Sequence, residues 1–240
     1  METYIKDAEG VNQTPLVSII IPYKQRDKLV ERCLYHILHQ TYKDYEVIEV
    51  SDNEFLGFPA DKRNWAISRA RGDYLAYIDS DAYPSSDWLL NALFWLNKGY
   101  IGVCGAGVLP YDAPLLEQAA DLVYKLLPFS YRVTPKKQRI VTDYPTFNLI
   151  VKKTDIKFKP YLTGEDTLYC KELSQRGQIL YTPDVWVYHN RRPLFKPFWK
   201  QISTYGKHRG HLITLALLGW LSTWIVYPFN FIKGFLRKKI

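Results

Sequence analysis

Asp79-Ser80-Asp81 stands where an apolar run stops, and two carboxylates at i and i+2 on a turning backbone can converge on one hard cation. Mg2+ and Mn2+ favour such oxygen donors and commonly complete their coordination with ligand phosphates. The plainer reading is that Asp81 caps the next element and Asp79 is the polar end of a strand. A second group, Gly164-Glu165-Asp166, opens a segment of helical composition, Thr167-Leu168-Tyr169-Cys170-Lys171-Glu172-Leu173. Carboxylates at a helix N-terminus are favoured by its dipole, so capping, worth about 0.3–1 kcal/mol, would account for Glu165 or Asp166 singly. His189 follows the strand-like Val185-Trp186-Val187-Tyr188. It can lend a neutral imidazole to the same cation, or be structural.

Such groups act together only if the chain folds them to one place. Residues 16–22 (LVSIIIP) form a continuous β-branched run, as expected of a strand buried on both faces of a parallel sheet. Residues 28–40 then carry apolar side chains at helical spacing. The unit repeats: strand over 45–51, helix over 62–71, strand over 74–79, helix over 86–97. Alternation of this kind implies right-handed crossovers and a doubly wound sheet, whose ligands sit beyond the carboxyl ends of the strands. Three polar stretches, 23–27, 51–54 and 79–83, fall at those ends and are expected to meet. Farther on, 101–109 is apolar, 119–127 reads as helix and 128–145 as a mobile loop region. Residues 147–151 follow as a strand, 166–176 as a helix closed by Gly177, and 178–182 as a strand.

A chain of 240 residues that is 47% hydrophobic and 15% aromatic can bury a sizeable core. Its three cysteines, Cys33, Cys104 and Cys170, lie outside any CxxC pattern, which argues against a disulfide framework or zinc site and suggests buried thiols in a reducing compartment. The polar first residues lack the apolar core of a secretory signal, so the catalytic part is expected in the cytosol. A net charge of +8 suits nucleic acid, anionic lipid or a diphosphate ligand equally. Residues 212–232 form an uncharged, mostly apolar stretch with basic flanks, close to the ~20 residues a spanning helix needs. Pro228 and Gly219 interrupt it, and a single crossing would put Lys233, Arg237, Lys238 and Lys239 outside, against the positive-inside tendency. A re-entrant or in-plane helix, or a longer natural chain, satisfies the charges better. The basic, aromatic segment 191–209 suits anionic headgroups or solvent. The expected division is therefore a catalytic domain over 1–190 and a membrane-associated segment over 191–240, at the cytoplasmic face of a membrane.

In their order, the pieces resemble the inverting glycosyltransferases of family 2. The resemblance covers about 15–189 and rests on Val17-Ser18-Ile19-Ile20-Ile21-Pro22-Tyr23, Arg63-Asn64, Ala70-Arg71-Gly72-Asp73-Tyr74, the Asp-Ser-Asp, Asn148 before Lys152-Lys153, the Gly-Glu-Asp, and Arg176-Gly177 followed by His189. It implies an α/β fold of the GT-A (Rossmann-like) type, a nucleotide diphosphate sugar, UDP-linked, as donor, and Mn2+ or Mg2+ as cofactor. Carried across, it makes Pro22 and Tyr23 the lining of the base pocket and Asp52 a hydrogen-bond partner of the base, with Arg63 against the nucleotide. Asp79 faces the ribose beside Ser80, Asp81 is the main metal ligand, and His189 is a second ligand or diphosphate contact. Asp166 is the catalytic base, while Glu165 and Asn148 shape the acceptor side. Lys24, Gln25 and Arg26, and Ser51-Asp52-Asn53-Glu54, depart from the family's pattern near the donor base.

Membrane attachment points to a lipid-linked acceptor, with a glycan hydroxyl as the other choice. Gln201-Ile202-Ser203-Thr204-Tyr205 stands where processive members of the family carry Gln-x-x-Arg-Trp, so addition of one sugar is expected. Three other readings compete: a sugar nucleotidyltransferase, for which Pro22-Tyr23-Lys24-Gln25 lacks the expected glycine-rich turn; an inactive nucleotide-binding module; and a nucleic-acid binder, which rests on charge alone and is set aside.

Overall fold

The computed structural model describes residues 16–126, 130–159 and 164–194. The apolar stretch 212–232 and all of 191–209 beyond Leu194 lie outside them. Among the described residues no helix is long and apolar enough to cross a membrane. The described residues up to Arg191 belong to one compact unit.

The apolar run at the start forms β1 (Val17–Pro22), with the side chains from Val17 to Ile21 buried. It lies between two parallel partners, β2 (Tyr45–Val50) and β3 (Tyr74–Tyr77), as a strand covered on both faces should. Helix α1 (Lys28–Leu38) begins at Asp27, whose carboxylate accepts from the amides of Leu29 and Val30 at 2.9 and 3.0 Å. It buries Val30, Cys33, Leu34 and Ile37, the stripe of a one-sided helix. Helix α2 (Pro59–Ile67) has Pro59 where its missing N–H costs nothing, and packs on β1 and β2. A buried carboxylate locks this half together. Glu46 on β2 accepts from Ser18 Oγ at 2.7 Å, from the Arg71 amide at 2.6 Å and from Arg71 Nε at 2.8 Å. The Arg71-Gly72 pair thus serves the architecture.

Short strand β4 (Ala82–Pro84) follows Asp81 directly, and α3 (Trp88–Leu96) comes next. Then come β5 (Gly102–Cys104), β6 (Gly107–Val108), α4 (Leu115–Lys125), β7 (Arg139–Val141), β8 (Leu149–Lys152), α5 (Glu165–Ser174), β9 (Ile179–Tyr181) and β10 (Val187–His189). The main sheet has seven strands in the order β2-β1-β3-β8-β5-β9-β7, and β4-β10-β6 form a small second sheet.

Four expectations need correction. The sheet is mixed, since β8 runs antiparallel between β3 and β5, and β7 antiparallel to β9; a buried apolar run carries no direction in its periodicity. The region 128–145 contains β7 and a 3-10 turn at Ser130–Arg132. Residues 147–151 divide into a 3-10 turn, Thr146–Asn148, and β8. Gly177 does not close α5 in a left-handed turn, because positive φ among the described glycines is confined to Gly99 and Gly164. Its smallness serves Ile101, whose Cβ would lie 3.1 Å from a methyl placed there.

Candidate active site

Two cations on α2 tie the carboxyl ends of the first three strands together. Pairing of β1 with β2 runs on past both strands, with the Tyr23 amide donating to Val50 O at 3.0 Å and the Asp52 amide to Lys24 O at 3.1 Å. Lys62, only 4% exposed, donates its Nζ to Tyr23 O and to Asp52 Oδ1. Tyr23 and Asp52 therefore share one edge of the sheet, as the donor-base reading requires, with Pro22 half-buried beside them. The Tyr23 hydroxyl donates to Glu49 Oε2 at 2.9 Å; partial burial, and then Glu49, push its pKa up to about 12. Arg26, one of the departures from the family pattern, reaches the same Glu49 oxygen at 3.1 Å.

Arg63, the next residue on α2, reaches the other way. Its Nη2 donates to Asp79 Oδ1 at 2.9 Å and its Nη1 to Glu165 Oε1 at 3.3 Å. At 4% exposure the guanidinium is buried, its charge engaged by two carboxylates. It joins the end of β3 to the first turn of α5. Packing around Asp79 raises its pKa and Asp81 adds to this, while Arg63 and His189 pull it down. Burial raises Glu165 as well, with Asp166 reinforcing the effect and Arg63 opposing it.

The small sheet explains how residues 108 positions apart become neighbours. Strands β4 and β10 pair antiparallel with His189 opposite Ala82, and the Asn190 amide donates to Asp81 O at 3.1 Å. His189 Nε2 then lies 3.4 Å from Asp81 Oδ1, and donor atoms of Asp79, Asp81 and His189 all fall within 4.8 Å of one another. The imidazole stacks on Phe147, with ring centroids 4.5 Å apart and planes 22° apart. Gly107 makes that stack possible, since a Cβ there would sit 2.7 Å from the Phe147 ring and 3.0 Å from His189 Cβ. Ser80, between the two aspartates, is half-buried. Two carboxylates and an imidazole, all partly open to solvent, form a donor set that fits Mn2+ or Mg2+.

Helix α5 is launched by Gly164, whose φ of +86° is left-handed and suits glycine alone without strain. Glu165 and Asp166 fill its first turn. Asp166 Oδ1 accepts the Thr167 amide at 2.8 Å, and Thr167 Oγ1 donates to Asp143 Oδ1 at 2.9 Å, so the segment before β8 steadies the helix start. Asn148 lies inside the fold. It is fully buried, donating to Gly105 O at 2.7 Å and Val185 O at 2.9 Å while accepting from Trp88 Nε1 at 2.8 Å, and it ties α3 to the loops beside β5 and β10.

Sequence reasoning missed three contributors. Lys62 was signalled only by adjoining Arg63 on an expected helix. Asp121 and Arg191 form a buried pair, Nε to Oδ1 at 2.9 Å, and Arg191 Nη1 donates to His189 O at 2.8 Å. Nothing in their local sequence separates them from solvated charges.

Fold and site together define an α/β protein of the GT-A type with a candidate metal site at its strand ends. Among solved structures, it resembles the mannosyltransferase PcManGT of Pyrobaculum calidifontis in complex with GDP-Man and Mn2+ (TM-score 0.56, 19% identity, covering 80% of this chain and 61% of that one). It likewise resembles S. aureus TarS in complex with UDP-GlcNAc (TM-score 0.55, 18% identity, covering 76% and 60%). Residues 57–157 match the model of glycosyl transferase family 2. The glycosyltransferase EpsJ of Bacillus subtilis is 24% identical over 71% of this chain, which spans about half of that relative's length, 52%. A Methanococcus voltae relative, named as a dolichyl N-acetyl-alpha-D-glucosaminyl phosphate 3-beta-D-2,3-diacetamido-2,3-dideoxy-beta-D-glucuronosyltransferase, is 23% identical over 90% of this chain and 78% of that relative. The match over residues 57–157, these relatives and the fold support a glycosyltransferase of the family 2, GT-A type.

Proposed function

We propose that the chain transfers one sugar, with inversion, from a nucleoside diphosphate donor to a hydroxyl of a lipid-linked or glycan acceptor at the cytoplasmic face of a membrane. The observation that carries the reading is the convergence of Asp79, Asp81 and His189 within 4.8 Å, with Arg63 linking Asp79 to Glu165 beside Asp166. A uridine diphosphate sugar is the expected donor, in keeping with the UDP-GlcNAc bound by TarS. A lipid-linked acceptor accords with the dolichyl phosphate in the name of the archaeal relative. Residues 1–190 are taken as the catalytic domain and 191–240 as its membrane-associated segment.

In this reading Pro22, Tyr23 and Asp52 receive the base, and Lys62 holds the latter two in register. A divalent cation held by Asp81, Asp79 and His189 would supply positive charge to the diphosphate oxygens. Asp166, in the first turn of α5, accepts the proton of the attacking acceptor hydroxyl. Arg63 keeps Glu165 and Asp79 in place from below.

Removal of a general base commonly costs about 100- to 10,000-fold in rate. Asp166→Asn should therefore lose turnover on that scale, roughly 3–5 kcal/mol in barrier, while binding donor nucleotide nearly as the parent does. Product formation across a panel of nucleotide sugars with Mn2+, alongside calorimetric donor titration, tests this. Wild-type turnover in Asp166→Asn would remove the base assignment, and failure of every donor to react would favour an inactive nucleotide-binding module.

A further inference from the structure

Helix α4 carries its apolar stripe outward. Leu115, Leu122 and Leu126 are 77%, 62% and 85% exposed. Their spacing returns them to within about 40° of one another around a helix of 3.6 residues per turn. The residues α4 buries are Ala120 and Asp121. Asp121 meets Arg191, and Glu117, one turn earlier, accepts from the Arg191 amide at 3.0 Å and from Asn190 Nδ2 at 3.3 Å. The helix is therefore held to the fold through its polar side. Single exposed leucines are ordinary, but three on one stripe, whose opposite side is committed to ion pairs, call for a cover.

The surroundings indicate which cover. Tyr111, 87% exposed, precedes the helix. Beside the stripe runs a groove of about 440 Å³, bounded by Leu122 and Lys125 on one side and by Val133 to Pro135 on the other. Lys136, Lys137 and Arg139 continue from that far wall, all exposed. An apolar stripe flanked by cations is the surface that anionic bilayers bind, with apolar side chains entering the headgroup boundary and each cation near the surface adding about 1 kcal/mol.

We propose that α4 lies in the surface of an anionic lipid bilayer. Leu115, Leu122 and Leu126 enter the boundary between headgroups and acyl chains, while Lys136, Lys137 and Arg139 meet lipid phosphates. The inference rests on the membrane part of the proposed function and adds the face that makes contact. Because Arg191, gripped by α4, also holds the His189 carbonyl, the helix on the bilayer is the one that fixes the end of β10. A lipid-linked acceptor would then reach the site without leaving the membrane.

The test uses the full chain with Leu122→Cys carrying an environment-sensitive fluorophore, the native cysteines being buried. Vesicles of phosphatidylcholine and phosphatidylglycerol contain a nitroxide lipid labelled near the headgroup. The expected result is a blue shift with quenching several-fold stronger than for the same label at Phe94 on α3, and several-fold weaker vesicle affinity after Lys136→Glu with Lys137→Glu. A vesicle-bound chain whose Leu122 label stays unquenched overturns the proposal and leaves the membrane reading standing. A chain that binds no vesicles overturns both, and sugar transfer assayed in detergent is independent of either outcome. A label already blue-shifted without vesicles, or shifted only as protein concentration rises, assigns the stripe to the chain itself or to a second copy and likewise overturns it.

Discussion

Asp81 and His189 approach to 3.4 Å, and Asp79 completes their cluster while paired to Arg63. Removal of one ligand differs from removal of a proton acceptor. Asp81→Ala should abolish the dependence of donor binding on Mn2+, which titration of UDP with and without metal will register; unchanged metal-dependent binding would exclude Asp81 as a ligand. Glu165 permits a prediction whose sign can be worked out. Burial raises its folded-state pKa above the ordinary carboxylate value of about 4.3, so the folded state holds a proton that the unfolded state has released in the window just above that value. This group's contribution therefore lowers stability as pH rises through the window. Glu165→Gln lacks that contribution, so the melting temperature of the variant minus that of the parent should rise with pH across the window, and a flat difference would contradict the assignment.

At the scale of elements, the site depends on a three-stranded sheet whose strands are two or three residues long. Such strands have little pairing of their own, so α4 supplies what they lack. Asp121 receives Arg191 Nε on one oxygen and Lys125 Nζ at 2.8 Å on the other, while Arg191 also reaches Gly107 O on β6 and His189 O on β10. Breaking a buried pair strands a charge, at a cost of about 3–5 kcal/mol. Asp121→Asn should lose stability on that scale in urea unfolding and also weaken Mn2+ binding, measured by paramagnetic resonance, although Asp121 is no ligand. Loss of stability with intact Mn2+ affinity would show that the clamp serves the fold alone.

For the whole molecule, the expected consequence is linkage: a ligand that binds only the folded chain stabilises it, by about 2.7 kcal/mol at a concentration 100 times its dissociation constant. UDP with Mn2+ should raise the melting temperature more than UDP or Mn2+ alone, and equal shifts with and without metal would separate nucleotide from cation. Apart from β4, the strands and helices of 16–97 were legible because buried runs and one-sided helices write their periods locally, and Asp79-Ser80-Asp81 and Gly164-Glu165-Asp166 were legible because carboxylates at strand ends and helix starts are chemically distinctive. What local pattern cannot hold is direction and partnership. The reversed β8 in mid-sheet, β4 and β7, and the burial of Arg63 and Asn148 follow from which segments lie alongside one another. Residue types and their order therefore determined that this chain has an α/β scaffold with acidic groups at its strand ends. Only tertiary structure decided that β10 pairs with β4, because the ion pairs and backbone bonds that bring His189 to Asp81 join residues 70 or more positions apart and leave no period in the sequence.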